Sequence, residues 1–526
     1  MKNQMDTVSI ITAFCRKAIS LLAIVAFVFS CNPPSPFQRL LETHGRQYDL
    51  VILNGQVLDG QDMISRLADI LIRDDSIIFV GKVDTSAIVV EQVIDAAGQH
   101  VTPGFIDTHA HGDPLETPGF ENFLAMGVTT ICLGQDGSSP EYENLRPWMD
   151  QVDSVGPGVN IALFAGHGTL RQLSGVGYKP VPAPEEMAKM EALLSDALDA
   201  GCFGMTTGLE YVPGTYAGDE ELAALAKVVG ERGGLAMSHV RNEDDDAVEA
   251  SIRELLRQGQ HCNVQVSHIK VVYGKGEERA EEILALLDSA RNSSNYAVTA
   301  DIYPYTASYT GIGIVFPQWA KPPQDYEQVK QERREELLAY LRQKIISRNG
   351  PEATLFGTEP YAGKTLAQVA AEQGRAFEEI LLDIGPGGAS GAYFVMDEAL
   401  QARLLEDPHV MVCSDGSPTM HHPRGYGSFA KIIEQYVQEE RRFSLAEAVR
   451  KMASLPAEAL GLKDRGLIRE GYRADLLVFD PGKVKARATF SEPRRLAEGM
   501  DWVVVNGKVA FRDGKLVGRP GKVLRK

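Results

Sequence analysis

Two histidines one residue apart follow an apolar run in the stretch VTPGFIDTHAHGD: His109 and His111. Side chains on a strand alternate between its two faces, so residues two apart point the same way and both imidazoles can reach one ion at a strand end. The plain alternative is a chance pair at a surface turn. The residue types at the ends of the other apolar runs decide between the two interpretations.

Four further candidate ligands end or follow other short apolar runs. They are Asp136 after GVTTICLG, His239 in GGLAMSHV, His268 in NVQVSHI and Asp415 in HVMVCSDG. A single histidine at a strand end is more often a hydrogen-bonded core residue than a ligand. As a set, imidazoles and carboxylates are the ligands of a catalytic divalent metal, most simply zinc. The residues therefore predict a metal site, provided that the runs end at one place.

Eight apolar runs separated by helical patterns predict where these side chains lie. Strands that alternate with helices form a parallel sheet, and eight of them predict an α/β fold with a closed (β/α)8 TIM-like barrel. Catalytic residues of such barrels lie at the carboxyl ends of the strands, where all the candidate ligands occur. The runs are VTPGFIDTHAH, GVTTICLG, NIALFAG, GCFGMTTG, GGLAMSHV, NVQVSHI, YAVTADIY and HVMVCSDG.

The segments on either side of the barrel, residues 48–103 and 461–526, alternate apolar and polar residues, as antiparallel strands do. We expect them to form the two halves of one small β-sandwich, with the barrel at residues 104–460. The long stretch between DIYPY and HVMVCSDG exceeds an ordinary crossover. It predicts an inserted subdomain after the seventh strand, near residues 310–360, that is either a lid on the catalytic face or a solvated helical decoration.

The first 30 residues differ from the rest of the chain. Basic residues precede the apolar run AISLLAIVAFVF, which is shorter than the roughly 20 residues that span a bilayer. The following VFSC is similar to a bacterial lipobox, although Phe29 is larger than that pattern usually tolerates. We expect a lipoprotein signal peptide at 1–30, lipidation of Cys31, a linker at 31–47, and a protein that is lipid-anchored or periplasmic in the bacterial cell envelope. A secreted protein with a free Cys31 is the alternative.

Charge and cysteine content restrict the partners. The 526 residues carry a net charge of −18. Because nucleic-acid-binding proteins present basic faces, we expect no nucleic-acid partner, and membrane contact only through the N-terminal lipid anchor. Four cysteines of the mature chain lie apart in apolar segments and predict buried free thiols rather than disulfides. They are Cys132, Cys202, Cys262 and Cys413.

These motifs resemble the amidohydrolase superfamily and, within it, the N-acyl-D-amino-acid deacylases, also called D-aminoacylases. The resemblance extends from about Tyr48 to the C-terminus. Besides the runs quoted above it includes GHGTLR, TGLEYVPGTYA, SHVRNE, DIYPYTAS, SDGSPTMHHPRGYGSF and EGYRADLLVFDP. It implies a metal-bearing barrel with a sandwich built from both chain ends, and zinc-dependent hydrolysis of linear N-acyl-D-amino acids, which are small-molecule substrates.

The resemblance also implies a role for each ligand. His239 and His268 correspond to ligands of a tightly held zinc. His109, His111 and Asp415 correspond to a second position that is weak or vacant, with Asp415 as the general base. The family has a cysteine as third ligand of the tight zinc, in a Gly-Asn-Cys-Gly motif. Here the same place reads Gly-Gln-Asp-Gly, so Asp136 would replace that cysteine, and Glu210 in TTGLEY is the alternative.

Substrate recognition in this family requires a cation for the substrate carboxylate. Lys270, Tyr303 and Arg424 match the family's carboxylate-binding residues, and the planar fork of Arg424 suits a carboxylate. Ser308 is a further candidate hydroxyl. The resemblance leaves three alternatives open: a dipeptidase acting on D-residues, a cyclic amidase of the same superfamily, and a metal-poor binding lipoprotein. GTEPYAGKT at 357–365 departs from the spacing of a phosphate-binding loop, so nucleotide binding is disfavoured.

Overall fold

The computed structural model describes residues 35–526, and the predicted signal peptide and Cys31 lie outside the described residues. Helix α1 (Pro36–His44) begins at Ser35, whose side chain accepts a hydrogen bond from the Gln38 backbone N–H. The ring of Phe37 packs 5.5 Å from that of Phe79, between centroids. Because this aromatic contact fixes the helix on the first sheet, residues 36–44 differ from the linker predicted for 31–47.

Residues 47–103 form five strands, of which the first is central. They are β1 (Gln47–Val57), β2 (Arg66–Arg73), β3 (Ser76–Gly81), β4 (Val89–Asp95) and β5 (His100–Pro103). Strand β1 pairs antiparallel with β2, and its other edge pairs in parallel with β4 and β5. Alternate side chains such as Leu50, Ile52, Ile70 and Ile72 are buried together, as the apolar alternation in the sequence predicts.

The first seven barrel strands follow, each paired in parallel with the next. They are β6 (Phe105–Asp107), β7 (Val128–Leu133), β8 (Asn160–Leu163) with its short continuation β9 (Ala165–Gly166), β10 (Gly204–Gly208), β11 (Leu235–His239), β12 (Asn263–Val266) and β13 (Val298–Ile302). The helices among them are α2 (Glu121–Ala125), α3 (Arg146–Val155), α4 (His167–Ser174), α5 (Pro184–Ala200), α6 (Asp219–Glu231), α7 (Val248–Gln258) and α8 (Gly276–Ser293).

An inserted subdomain occupies residues 307–394. Its elements are β14 (Ala307–Gly311), α9 (Tyr326–Glu332), α10 (Arg334–Ser347), β15 (Thr354–Phe356), α11 (Leu366–Gln373), α12 (Phe377–Ile384) and β16 (Ser390–Phe394). The three strands form an antiparallel sheet in the order β14-β16-β15, and Leu341, Phe356 and Leu381 belong to a separate core beneath it. The insertion is longer than the predicted 310–360 because β16 pairs with both other strands.

The chain then completes the barrel. Helix α13 (Glu398–Glu406) precedes β17 (Val410–Val412), which pairs with β13. The barrel closes where the Asp415 N–H donates to His109 O at 2.8 Å and the His111 N–H donates to Gly416 O at 2.7 Å. Helices α14 (Arg424–Lys431), α15 (Leu445–Val449) and α16 (Leu455–Leu460) follow, with π-helical turns at Ile432–Glu439 and Arg450–Ser454.

The C-terminal strands return to the first sheet. They are β18 (Leu476–Phe479), β19 (Met500–Val505), β20 (Lys508–Arg512), β21 (Lys515–Leu516) and β22 (Val523–Leu524). Strand β18 pairs antiparallel with β5, so both chain ends build one nine-stranded sheet and the predicted α/β barrel architecture is confirmed. Strand β22 differs from the predicted sandwich, since it pairs in parallel with barrel strand β8 and buries Val523.

Two further properties of residues 35–526 concern the cysteines and membrane-spanning helices. Cys132, Cys202, Cys262 and Cys413 are buried free thiols, as predicted. Among residues 35–526, no helix has both the length and the apolar character needed to cross a membrane.

Candidate metal centre

The candidate ligands meet at the carboxyl ends of the barrel strands. Their donor atoms form two groups, and within each group all atoms lie within 4.8 Å of one another. One group contains His109, His111, Asp136 and Asp415, and the other contains Asp136, His239 and His268. Asp136 therefore belongs to both groups.

The two carboxylate oxygens of Asp136 face different histidines. Oδ1 lies 3.3 Å from His109 Nε2 and 3.3 Å from His268 Nε2. Oδ2 lies 3.6 Å from His111 Nε2. On the second side of the cluster, His239 Nδ1 and His268 Nε2 are 3.0 Å apart. The Asp136 carboxylate thus lies between two sets of imidazole nitrogens.

The donor set fits a zinc ion. His109 is fully buried, and neither of its ring nitrogens makes a hydrogen bond within residues 35–526. Leaving buried polar atoms without a partner costs about 1–3 kcal/mol each, so such atoms usually serve a further function. Imidazole nitrogens and carboxylate oxygens are established ligands of zinc. A cation in this cluster would satisfy the nitrogens of His109, His239 and His268.

A glutamate orients His239 from behind, and an ion pair lies behind His268. Glu210 Oε2 lies 3.0 Å from His239 Nε2. The nearest partner of His268 Nδ1 is Lys270 Nζ at 2.8 Å, and Glu243 Oε1 lies 3.4 Å from the same nitrogen. Metal-binding histidines commonly donate their second ring N–H to a carboxylate, which turns the other nitrogen toward the ion. The geometry therefore favours Asp136 over Glu210 as the third ligand and gives Glu210 an orienting position.

Glu210 also shares a compact group with His239 and Glu243. That group contains only one imidazole, and the Lys270 ammonium neutralises Glu243 at 2.7 Å. It is therefore a poorer cation site than either group that contains Asp136.

Both candidate carboxylate ligands are ionised. Burial opposes ionisation of Asp415, but the guanidinium of Arg424, with Nη1 2.8 Å from Oδ2, and the neighbouring histidines hold the pKa of this carboxyl well below its usual range. Burial likewise opposes ionisation of Asp136, but His109 and His268 hold its pKa well below the usual range. Two negative charges at one rim, one buried and one partly buried, favour binding of a cation.

The backbone at these positions is strained. Asp136, His268 and Asp415 have φ angles of 53°, 36° and 49°, in the left-handed region that residues other than glycine rarely adopt. At the Asp136 turn, Gly208 allows a close approach, since a Cβ there would lie 2.1 Å from Asp136 O. Such strain persists only where surrounding contacts enforce it.

Asp301 enforces the conformation of His268 from below. This buried carboxylate accepts hydrogen bonds from the His268 backbone N–H and, at 2.5 Å each, from Thr108 Oγ1 and Gln265 Nε2. It therefore connects strand β13 to the ends of β6 and β12, where candidate ligands are located. Sequence reasoning missed Asp301, although it lies within the quoted strand YAVTADIY.

A cavity of about 920 Å³ opens above the cluster. His111, Asp136, Asp415 and Arg424 line it from the barrel side, and the insertion contributes Tyr309, Thr310, Gly357, Thr358 and Ser390. The candidate ligands His109, His239 and His268 are buried and do not line the cavity. The cavity is thus bounded by the candidate ligands on one side and by the inserted subdomain on the other.

The predicted substrate-binding residues occupy different places. Arg424 lines the cavity, whereas Lys270, Tyr303 and Ser308 do not. The Arg424 guanidinium and the Lys270 ammonium lie 4.8 and 5.7 Å from the centroid of the buried Tyr303 ring. The structure therefore brings these three residues together beside the cavity, while Ser308 lies on β14 next to the lining residue Tyr309.

Three further residues near the site were not predicted individually. Glu243 and Tyr211 lie inside the quoted motifs SHVRNE and TGLEYVPG, and the Tyr211 ring centroid lies 4.5 Å from that of His239. Arg494 also lines the cavity, but it lies outside every quoted motif, in the C-terminal segment that follows EGYRADLLVFDP. Position within a quoted motif could have indicated the first two, and no sequence signal indicates the third.

Comparison with known proteins places this architecture among characterised ones. A profile described as "Amidohydrolase family" matches residues 347–511. The chain is 35% identical over 504 residues to N-acyl-D-glutamate deacylase of Alcaligenes xylosoxydans xylosoxydans, covering 91% of this chain and 96% of the relative. It is 31% identical to D-aminoacylase of the same organism, covering 92% and 99%.

Solved structures agree with these sequence comparisons. N-acyl-D-glutamate deacylase from Bordetella bronchiseptica, complexed with zinc and a phosphonate inhibitor that mimics the tetrahedral intermediate, superposes with a TM-score of 0.80 and 32% identity, over 91% of this chain and all of that one. A D-aminoacylase structure superposes with a TM-score of 0.78 and 31% identity, over the same shares.

Proposed function

This chain belongs to the N-acyl-D-amino-acid deacylase family of amidohydrolases, and we propose that it hydrolyses the amide bond of N-acyl-D-amino acids to a carboxylic acid and a D-amino acid. The observation that carries this proposal is the pair of donor groups that share Asp136 at the base of the cavity. The relatives that cover nearly the whole chain are deacylases of acylated D-amino acids. The enzyme is accordingly a zinc-dependent hydrolase.

This chain's own histidines and aspartates would hold the zinc. Asp136, His239 and His268 would form the tight site, and His109, His111 and Asp415 would form a second, weaker site. When bound, zinc polarises the substrate carbonyl and lowers the pKa of a bound water to about 7. Because Asp136 offers oxygen where the family pattern has a thiolate, we expect this chain to accept harder divalent ions such as manganese more readily.

Asp415 is the proposed general base. Its ionised carboxylate lines the cavity, and Arg424 holds Oδ2 at 2.8 Å while Oδ1 faces His111 at 3.1 Å. Oδ1 is therefore the atom placed to accept a proton from the attacking water. Asp415 then returns that proton to the leaving nitrogen, so that the amino acid departs as a neutral amine.

The substrate carboxylate is proposed to bind at Arg424. The unpaired Nε of Arg424 is buried and makes no hydrogen bond to residues 35–526, which leaves a donor for a ligand. Tyr303 and Lys270 support this position from behind, and their direct contact with the carboxylate requires Lys270 to turn away from Glu243. Ser308 is a weaker candidate because the nearby Tyr309 and Thr310 line the cavity, whereas Ser308 does not.

A dipeptidase acting on D-residues is the second candidate function. The cavity of about 920 Å³ is at the upper end of the range for drug-sized ligands, so an aminoacyl group fits where a small acyl group would bind. The chemistry at Asp415 is the same for both substrates. Competition between an N-acyl-D-amino acid and a D-terminal dipeptide would show which of the two is the better substrate.

Cell-envelope location is also part of the proposal. The apolar run before VFSC supports cleavage after Ser30, lipidation of Cys31, and a lipid-anchored or periplasmic protein. In a bacterial host, full-length protein should partition with membranes, and Cys31→Ala should shift it to the soluble or secreted fraction. Equal partitioning of both forms would contradict the lipid anchor.

The function is tested on purified protein that begins after Cys31. Metal content is measured by elemental analysis, and amine release is measured on paired N-acetyl-D- and N-acetyl-L-amino acids. Zinc near one equivalent and release from D-substrates only are the expected results. Failure to bind or be reactivated by zinc, cobalt or manganese, together with no turnover, would favour a binding lipoprotein instead. Release from cyclic amides alone would favour a cyclic amidase.

A further inference from the structure

A second hollow of about 570 Å³ adjoins the active-site cavity. The two share Gly357, Glu359 and Arg494 as walls. We call the second hollow the outer groove; its remaining walls are Ala362, His421, Glu492, Pro493 and Arg495. Three segments distant in sequence build it: the insertion, the loop that follows Asp415, and the C-terminal segment.

Aromatic contacts fix the C-terminal segment beside the cavity. The Phe490 ring lies 4.7 Å from that of Phe394 in the insertion and 4.9 Å from that of His422 in the loop, between centroids. Four residues later, Arg494 Nε donates to Met420 O at 3.3 Å, and its Nη2 donates to Thr419 O. Arg494 is therefore held at the junction of the cavity and the outer groove.

Arg494 forms no ion pair at the junction. Within residues 35–526, no carboxylate oxygen lies within 4.0 Å of its guanidinium nitrogens, although Glu359 and Glu492 line the same groove. Its hydrogen bonds go to backbone carbonyls. The other arginines at these walls are paired: Arg424 with Asp415 at 2.8 Å, and Arg495 with Glu492 at 3.7 Å. His421 adds a buried Nε2 without a hydrogen-bond partner in the described chain. The junction thus offers an arginine without an ion-pair partner and an imidazole nitrogen without a hydrogen-bond partner in the described chain.

The combined space exceeds what a small substrate requires. The active-site cavity alone is large enough for a drug-sized ligand, so an N-acetyl amino acid leaves the outer groove empty. The groove walls include four charged side chains, Glu359, Glu492, Arg494 and Arg495. Burying a long apolar chain against them would forfeit their hydration, which disfavours a fatty acyl chain. Because Arg495 pairs with Glu492, Arg494 is the wall cation left to bind an anionic group on a polar chain.

We propose that the outer groove is a subsite for an extended polar part of the substrate that carries a carboxylate, and that Arg494 binds this carboxylate. This proposal rests on the proposed deacylase function. The carboxylate belongs either to a long acyl group, as in a peptidyl substrate, or to the side chain of the D-residue. In both cases Arg494 determines specificity and takes no part in the proton transfers at Asp415.

The test compares substrates that differ only in charge. N-glutaryl-D-alanine and its ω-amide place the carboxylate on the acyl side, whereas N-acetyl-D-glutamate and N-acetyl-D-glutamine place it on the side chain. The ratio of kcat/KM for acid over amide should exceed one in one pair, which identifies the source. Arg494→Gln, which can still donate to the Thr419 carbonyl, should lower that ratio about fivefold, and Arg494→Lys should largely restore it.

Arg487→Gln is the matched control. Arg487 lies on the same C-terminal segment, but pairs with Glu498 at 2.7 Å and does not line either space. It should leave both ratios at their wild-type values. Ratios near one in both pairs, unchanged by Arg494→Gln, would overturn the subsite while leaving the deacylase function intact.

A binding measurement separates failure of the subsite from failure of the function. The zinc-loaded Asp415→Asn protein is titrated calorimetrically with N-glutaryl-D-alanine, N-acetyl-D-glutamate and the two amides, with and without Arg494→Gln. Tighter binding of one acid over its amide, lost in the double variant, supports the subsite even if no substrate is turned over. Equal affinities of acid and amide in both proteins would reject it.

Discussion

The floor and the wall of the active-site cavity are built in different ways. The floor consists of side chains at strand ends, each fixed by neighbouring strands, as when Asp301 holds the His268 backbone N–H. The wall comes from the insertion and the C-terminal segment, whose residues such as Thr358 and Arg494 are partly or fully exposed. The floor is therefore suited to hold an ion in one geometry, and the wall is suited to vary with the substrate.

This contrast separates chemistry from specificity. Ligand positions at the floor tolerate left-handed φ angles because buried hydrogen bonds enforce them. The wall residues make contacts that can be changed without moving the floor, since the insertion has its own hydrophobic core. Changes at the floor should thus abolish metal binding or turnover, and changes at the wall should alter only the choice of substrate.

The largest effect is expected from loss of a floor imidazole. His268→Ala removes the nitrogen that faces both Asp136 and His239, so zinc content should fall to background and amine release should become undetectable. Elemental analysis and the amine assay measure the two quantities. His261→Ala, at a histidine outside both donor groups, is the control and should keep both at wild-type values. Full zinc occupancy in His268→Ala would remove His268 from the ligand set.

Asp415→Asn should separate metal binding from turnover. The amide retains the size of the carboxylate and cannot accept the proton, so kcat should fall about a thousandfold while zinc stays bound at the tight site. Stopped assays of amine release and elemental analysis on the same sample test both halves. A kcat within tenfold of wild type would exclude Asp415 as the general base.

The floor could be predicted residue by residue from the sequence, whereas for the wall only the presence of the insertion could be predicted, for a physical reason. Parallel strands bring their carboxyl ends to one rim, so His109, His239 and Asp415 are neighbours once eight strands are identified. Nothing comparable relates Arg494 to that rim, because its position depends on the packing of Phe490 between two other segments. Asp301 was not predicted, because the sequence does not show which hydrogen bonds a carboxylate inside a strand accepts.

Asp301→Asn should have a smaller effect on the floor than loss of a ligand. The amide keeps one acceptor oxygen, which can serve the His268 backbone N–H. Its NH2 group then replaces Oδ2 and can accept neither the hydrogen bond from Thr108 nor that from Gln265. Zinc affinity should fall about tenfold, as for other groups that orient ligands, and the visible spectrum of the cobalt-loaded protein should change. Competition with a zinc chelator gives the affinity. Asp288→Asn, at an exposed ion pair with Arg291, should change neither.

The smallest effect is expected at Ser308, because it does not line the cavity although residues next to it do. Ser308 lies on β14 and pairs with Tyr393, whereas the adjacent Tyr309 and Thr310 line the cavity. If its hydroxyl does not contact the substrate, Ser308→Ala should change kcat/KM less than twofold, while Thr310→Ala should raise KM and leave zinc content unchanged. Steady-state kinetics on the best D-substrate decides. A KM increase in Ser308→Ala alone would show that the Ser308 hydroxyl contacts the substrate.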